Sequence, residues 1–221
     1  MPFDPEIAAV LSGESEGCIV CADCLDILPT LPDGCVDAVI ADPPYGIGVA
    51  EWDIFSSQWL TVARRLGPAA VFSGVRAISD YPRADWIGAW VRVGSTQRCG
   101  KFKGFNNWEP ILFYGIDSLA NDVIATPNYA QPDIEHPSPK PLRLMELLVL
   151  RMPGDIILDP FCGSGTTCVA AKKLGRRYIG IEISEKYCAI ARLRLAGTPR
   201  PLFAPEPQRC ETPSLYAEKE N

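Results

Sequence analysis

The stretch that most constrains the fold runs from Asp155 to Leu195. An apolar segment, Asp155–Asp159, leads into a glycine-containing loop. Behind it the pattern reads helix (Thr166–Leu174), strand (Arg177–Ile183) and helix (Glu185–Leu195). That order predicts parallel strands joined by a right-handed crossover, hence an open α/β sheet. Just upstream, Pro141–Arg151 carries Leu142, Leu144, Met145, Leu147, Leu148 and Leu150 around much of a helical circumference. Such a helix is expected to be largely buried.

The loop after the first of these strands is Asp159-Pro160-Phe161-Cys162-Gly163-Ser164-Gly165-Thr166-Thr167. Its glycines permit a tight turn and close approach of a ligand to backbone, and Thr166 or Thr167 can cap the next helix. Such a loop could serve a dinucleotide, a nucleotide phosphate or S-adenosylmethionine. Three details bear on the choice. The lysine of a phosphate-cradling loop is missing. Asp159 would repel a pyrophosphate but attract an ammonium or sulfonium. Glu182, at the end of the next strand, can take two ribose hydroxyls. A dinucleotide enzyme keeps the ribose acid but usually a third glycine too, where this loop has Thr167 and Cys168. S-adenosylmethionine is the better match.

A second strand end carries chemistry. Val36–Ile40 is an apolar run that ends in Ala41-Asp42-Pro43-Pro44-Tyr45-Gly46. Two prolines stop the strand and hold the preceding residues extended. The kink presents the Asp42 carboxylate, the Pro43 carbonyl and the Tyr45 ring together. Two acceptors beside an aromatic face suit a planar ring bearing an exocyclic amino group.

The remaining chain is read more coarsely. Residues 1–16 look like a loose leader with one helical turn at Ile7–Leu11. Gly17–Asp23 reads as a strand, Leu25–Leu31 as a short helix, Ser56–Leu66 as an amphipathic helix and Ala69–Gly74 as a strand. Ala77–Ala89 is expected to be helical but interrupted by Pro82. Trp90–Gly94 and Trp108–Tyr114 are expected strands, and 116–137 a long loop. From Gly197 the chain is proline-rich, then acidic, and expected to be disordered.

A chain of 221 residues fits one domain. No apolar run is long enough for a transmembrane helix, and the amino end lacks the features of a secretory signal. A cytoplasmic protein with no membrane partner is expected. The net charge of −6 would argue against a polyanionic partner, but it resides in the chain ends. Residues 76–107 hold six cations, Arg76, Arg83, Arg92, Arg98, Lys101 and Lys103, against Asp80 and Asp85. A local basic face of this kind can bind phosphates. The nine cysteines are an odd number and the only histidine is His136. Cys18, Cys21 and Cys24 fall in a strand-like run without a second pair, so no metal is expected and the cysteines read as small buried hydrophobes.

Asp42-Pro43-Pro44-Tyr45, followed later in the chain by the Asp159–Gly165 loop, resembles the DNA amino-methyltransferases, which methylate adenine N6 or cytosine N4. The order, tetrapeptide before cofactor loop, resembles the permuted β-group of that family. Two further stretches fit: Asp23-Cys24-Leu25, and His136-Pro137-Ser138-Pro139-Lys140-Pro141. The resemblance implies a single Rossmann-like domain over 17–196: a mostly parallel seven-stranded sheet with one antiparallel strand and helices on both faces. The leader (1–16) and tail (197–221) flank it, and short target-recognition loops fall within about 76–135.

The resemblance also implies roles. Asp42 and the Pro43 carbonyl, on the turn completed by Pro44, accept hydrogens from the target amine, and Tyr45 stacks on the flipped base. Asp159, Phe161, Cys162, Gly163, Ser164, Gly165, Thr166 and Glu182 surround S-adenosylmethionine, with Asp23 near its adenine and Ser138 and Lys140 near its carboxylate. Arg98, Lys101 and Lys103 contact double-stranded DNA. Transfer is direct, without a covalent intermediate, so no cysteine is needed as a nucleophile. The region between tetrapeptide and closing helix is short for the family. This implies a short recognition site, weak specificity, or help from a partner subunit such as a second copy in a homodimer. Such enzymes are encoded by bacteria, phages or mobile elements. Aspartate at the first tetrapeptide position favours adenine, because the family's cytosine enzymes more often carry serine there. Cytosine N4, RNA, and a non-catalytic cofactor-binding subunit are the alternatives.

Overall fold

The computed structural model of the chain describes residues 3–46, 55–94, 106–116, 121–127 and 139–201. The strands are β1 (Gly17–Cys21), β2 (Ala38–Ala41), β3 (Ala69–Phe72), β4 (Trp86–Val93), β5 (Trp108–Tyr114), β6 (Val123–Pro127), β7 (Ile156–Asp159) and β8 (Arg177–Glu182). The helices are α1 (Pro5–Ser12), α2 (Cys24–Ile27), α3 (Gln58–Leu66), α4 (Leu142–Arg151), α5 (Thr166–Lys173) and α6 (Glu185–Ala196). All eight strands join one sheet in the order β1-β8-β7-β2-β3-β5-β4-β6. Only β5 runs against its neighbours, β3 and β4; every other pairing is parallel.

The central strands β2, β3 and β7 are buried along their whole length, as parallel strands covered on both faces must be. On one face α1, α2 and α3 pack Ile7, Val10, Cys24, Trp59, Leu60 and Leu66 against the sheet. On the other, α4, α5 and α6 contribute Leu144, Leu148, Val169, Ala170, Cys188 and Ala191.

Three expectations are corrected. Among the described residues the sheet has eight strands, not seven, because β6 lies inside the stretch expected to be a loop. It pairs in parallel with β4 at the sheet edge, burying Ile124 and Thr126 while Val123 and Ala125 face out. Ala77–Ala89 is not a helix. Only a short 3-10 turn forms at Ile78–Asp80, and β4 begins at Trp86, where pairing with Phe113 overrides local preference. Residues 3–16 are no loose leader: Asp4 caps α1 by accepting from the N–H groups of Glu6 and Ile7, and Ile7 and Val10 are fully buried. Of the expected tail, residues 202–221 lie outside the described residues.

One topological fact places the site. From β7 the chain crosses through α5 to β8 on one side; from β2 it crosses through α3 to β3 on the other. The crossovers diverge, so α3 and α5 cover opposite faces and leave a crevice above the carboxyl ends of β2 and β7. Such a reversal point is where open α/β sheets bind ligands. Both motif loops begin there. Among the described residues no helix is long and apolar enough to cross a membrane.

Candidate active site

Asp42 directly follows β2, and the turn of Pro43 and Pro44 brings Tyr45 back over it. The Tyr45 hydroxyl lies 2.5 Å from Asp42 Oδ1 and 2.5 Å from Glu109 Oε1. Lys140 Nζ donates to Asp42 Oδ1 at 2.8 Å, to Glu109 Oε1 at 2.9 Å and to the Tyr45 oxygen at 3.2 Å. The other oxygen of Glu109, Oε2, pairs with Arg92, whose guanidinium also lies 4.6 Å over the Trp90 ring. The Glu109 side chain is 5% exposed and that of Lys140 10%, whereas Asp42 keeps 28% of its surface open.

The electrostatics follow from this packing. Burial alone would lower the Lys140 pKa, but the Asp42 and Glu109 carboxylates outweigh it and raise it, so the ammonium is fixed. Burial pushes Glu109 up, but Lys140, Tyr45 and Arg92 together bring it below the usual carboxylate range. Burial, then the two carboxylates, hold the Tyr45 hydroxyl well above its ordinary value. The tyrosine is therefore a neutral phenol with one proton to share between two carboxylates.

The glycine loop stands beside this cluster. Asp159, the last residue of β7, is 3% exposed and accepts the N–H of Phe161 at 3.0 Å. Burial raises its pKa to about 7; the Thr167 hydroxyl and Phe161 N–H oppose this, and the nearby Asp42 and Glu182 carboxylates add to it. The two motif aspartates and Glu182 thus share one crevice. Glu182 Oε2 accepts the Gly163 N–H at 2.9 Å and its Oε1 accepts the Ser184 N–H at 2.9 Å, which fixes the loop to the end of β8. Gly163 and Gly165 both have left-handed backbones (φ +51° and +80°), and a Cβ on Gly165 would lie 2.8 Å from that of Ala191. Gly165 therefore lets the loop settle on α6. Phe161 meets Trp59 edge to face at 4.9 Å. Cys162 is buried and its thiol held well above its usual range, chiefly by the Cys168 side chain and then by burial.

Other expected residues take different places. Neither Thr166 nor Thr167 caps α5; Gly165 occupies that position with no side-chain bond. Ser164 and Thr166 are bound from outside by Arg194, which donates to the Ser164 carbonyl at 2.5 Å, the Ser164 hydroxyl at 3.1 Å and the Thr166 hydroxyl at 3.2 Å. Asp23 lies just past β1, beside the end of β8, and caps α2 through the Leu25 N–H at 2.8 Å. The resemblance implies Lys140 near a cofactor carboxylate, but its ammonium lies on Asp42, Glu109 and Tyr45. Ser138, His136, Arg98, Lys101 and Lys103 lie outside the described residues. Arg92, counted in the basic segment, is withdrawn into the Glu109 pair.

Sequence reading missed Glu109 and Arg194 and put Arg92 on an open basic face instead of in its buried pair. Glu109 is an acid at the start of an apolar strand, Trp-Glu-Pro-Ile-Leu-Phe-Tyr; a charge in such a run is a signal that it has buried partners. The cysteine triplet splits, Cys18 and Cys24 buried and Cys21 exposed. Burial pushes the Cys18 and Cys24 thiols up to about 12. Among the described residues no group of three or more His, Cys, Asp or Glu could hold a metal ion.

Comparison with known proteins places this arrangement. A family model for DNA methylases of the N6/N4 type matches residues 89–193. "Putative methylase YubD" of Escherichia coli (strain K12) is 30% identical over 210 residues, spanning 80% of this chain and 89% of that protein. The type II methyltransferase M.HpaI of Haemophilus parainfluenzae is 27% identical over 230 residues, spanning 80% and 73%. The crystal structure of the M1.HpyAVI–SAM complex superposes with a TM-score of 0.62 at 27% identity, covering 81% of this chain and all of that one (100%). The cytosine-N4-specific PvuII DNA methyltransferase shares the fold at a TM-score of 0.62 and 17% identity, over 81% and 86% of the two chains. Two motif loops meeting at one switch point, on a chain so related, make this protein a member of the N6/N4 DNA methylase family.

Proposed function

We propose that this DNA methyltransferase uses S-adenosylmethionine to methylate the exocyclic N6 of adenine in duplex DNA, after flipping the base. The observation that carries the reading is the shared crevice of Asp42, Asp159 and Glu182 at the switch between β2 and β7. The residues fit the cofactor. Asp159 is a buried carboxylate whose pKa is raised to about 7, chiefly by burial, with the nearby Asp42 and Glu182 charges adding to it; a ligand bearing an ammonium and a sulfonium relieves that repulsion. Glu182 and the Gly163 turn would hold the ribose side, Phe161 the adenine side, and Asp159 the methionine end. When bound, S-adenosylmethionine supplies an electrophilic sulfonium methyl.

The chain's own groups prepare the acceptor. An exocyclic amine is a weak nucleophile because its lone pair is delocalised into the ring. Asp42 and the Pro43 carbonyl accept its two N–H bonds and favour a tetrahedral nitrogen. Tyr45 stacking, worth about 1–3 kcal/mol, offsets much of the few kcal/mol that unstacking costs. Positioning is the main source of rate, up to roughly 7–11 kcal/mol in good cases. Arg98, Lys101 and Lys103 would hold phosphates. Aspartate at position 42 supports adenine as the target.

The test is expression in a host without DNA methylation, followed by sequencing of modified bases. N6-methyladenine at a recurring short site is the expected result. N4-methylcytosine would replace the target but keep the enzyme, and unmodified DNA would overturn the proposal.

A further inference from the structure

The cluster around Asp42 is a closed ring. Asp42 Oδ1 and Glu109 Oε1 share the same two donors, the Lys140 ammonium and the Tyr45 hydroxyl. Four separate parts of the chain supply it with its outer support: the end of β2 (Asp42, Tyr45), β4 (Arg92), the start of β5 (Glu109), and the residue before Pro141 at the head of α4 (Lys140). Nothing about stability requires such an assembly. Desolvating buried ions often costs as much as their attraction returns, and apolar residues of similar volume do as well. A buried network held on one partly open carboxylate points instead to control of that carboxylate.

Resting on the functional reading above, the geometry points to Glu109 and Lys140 as positioning residues for methyl transfer, Lys140 serving the acceptor side of the crevice and not the cofactor carboxylate. Aspartate χ2 is a broad torsion that water leaves free to turn. Here Oδ1 is gripped by two donors, so the second oxygen, Oδ2, keeps one direction in which to accept the target amine. The same hydroxyl that grips Asp42 fixes the Tyr45 ring. One ring of bonds thus sets both the acceptor oxygen and the stacking surface.

Glu109 anchors the ring. Its Oε1 holds Lys140 and Tyr45, while its Oε2 is tied to Arg92. Without it Lys140 would follow Asp42 alone, and the phenol proton would have a single acceptor. The Lys140 ammonium also lies 4.8 Å over the Phe72 ring, which fixes it from below without competing for its hydrogen bonds.

The test uses the purified full-length chain, unmethylated genomic DNA and tritiated S-adenosylmethionine. The variants are Glu109→Gln, Lys140→Ala and Tyr45→Phe, with cofactor affinity measured separately by calorimetry. Glu109→Gln and Lys140→Ala should each lower kcat about 100-fold, the cost of a small misplacement at a reacting centre. Their cofactor Kd should stay within about twofold of wild type, a folded-state readout as well. Ethylammonium should restore Lys140→Ala in a dose-dependent way, which loss of structure would not allow. Tyr45→Phe keeps the ring and should lower kcat about tenfold. Wild-type kcat in Glu109→Gln or in Tyr45→Phe would overturn the inference. So would a Lys140→Ala variant with weakened cofactor binding and full kcat at saturation. A wild-type chain that transfers nothing would overturn the functional reading, and this inference with it.

Discussion

Gly154 lies flat against Asp37: a Cβ on the glycine would stand 2.1 Å from that of the aspartate. The contact ties the entry of β2 to the entry of β7. Asp37 Oδ2 accepts the N–H groups of Asp155 and Ile156, each at 2.8 Å, so the strands that end in the two motif loops are fastened at their opposite ends too. Gly154 also has φ +67°. Gly154→Ala should cost about 3 kcal/mol, from left-handed strain plus overpacking. Asp37→Ala should cost about 1–3 kcal/mol for the stranded donors. Urea unfolding midpoints check both.

Asp42→Asn keeps the shape of the side chain but removes the charge. Transfer to DNA should fall by at least about 100-fold, while cofactor affinity changes little because the glycine loop and Glu182 are untouched. Equal loss of both in paired turnover and calorimetry experiments would count against the acceptor role.

Glu182 holds the Gly163 and Ser184 N–H groups through its two carboxylate oxygens. Glu182→Gln can accept only through one. Cofactor binding should weaken by about tenfold or more, the scale of a lost charged hydrogen bond, with kcat at saturating cofactor largely kept.

Asp159 should give the chain a characteristic pH dependence. Its folded pKa is about 7, against about 3.9 in an unfolded chain. Between those values the folded state binds more protons, so stability declines as pH rises from about 4 to about 7 and is flat above. Asp159→Asn should remove that slope and be the more stable protein at pH 8 in thermal melts. Cofactor binding runs the other way. A cation beside Asp159 favours the ionised form, so affinity should strengthen through neutrality in the wild type and not in Asp159→Asn.

What the sequence made legible follows physical scale. The two motif strands announce themselves because buried parallel strands are continuous apolar runs, and Pro43 or Gly163 punctuates them sharply. Their meeting in space follows from handed crossovers, and Asp42 and Asp159 do face one crevice. The edge of the sheet was harder. Val123–Pro127 has too few residues for alternation to stand out, and Trp86 joins a strand only because Phe113 lies opposite. The ring around Asp42 was harder still. Lys140 and Glu109 are separated by 31 residues and meet only after α4 docks on the sheet. A lysine beside prolines carries no local sign of which carboxylates it will find.

The divergence of the two crossovers has an evolutionary consequence. The unit from Ala38 to Phe72 carries the Asp42 turn, and the unit from Ile156 to Glu182 carries the glycine loop. They pair along one ladder, Ala38 beside Ile157 and Val39 beside Leu158, and meet again where Trp59 packs on Phe161. Each can be inherited or exchanged as a cassette, provided that the seam between them is preserved. A chimera that exchanged the first unit would keep its hold on Asp42 only if Glu109 and Lys140, which lie outside both units, still met it.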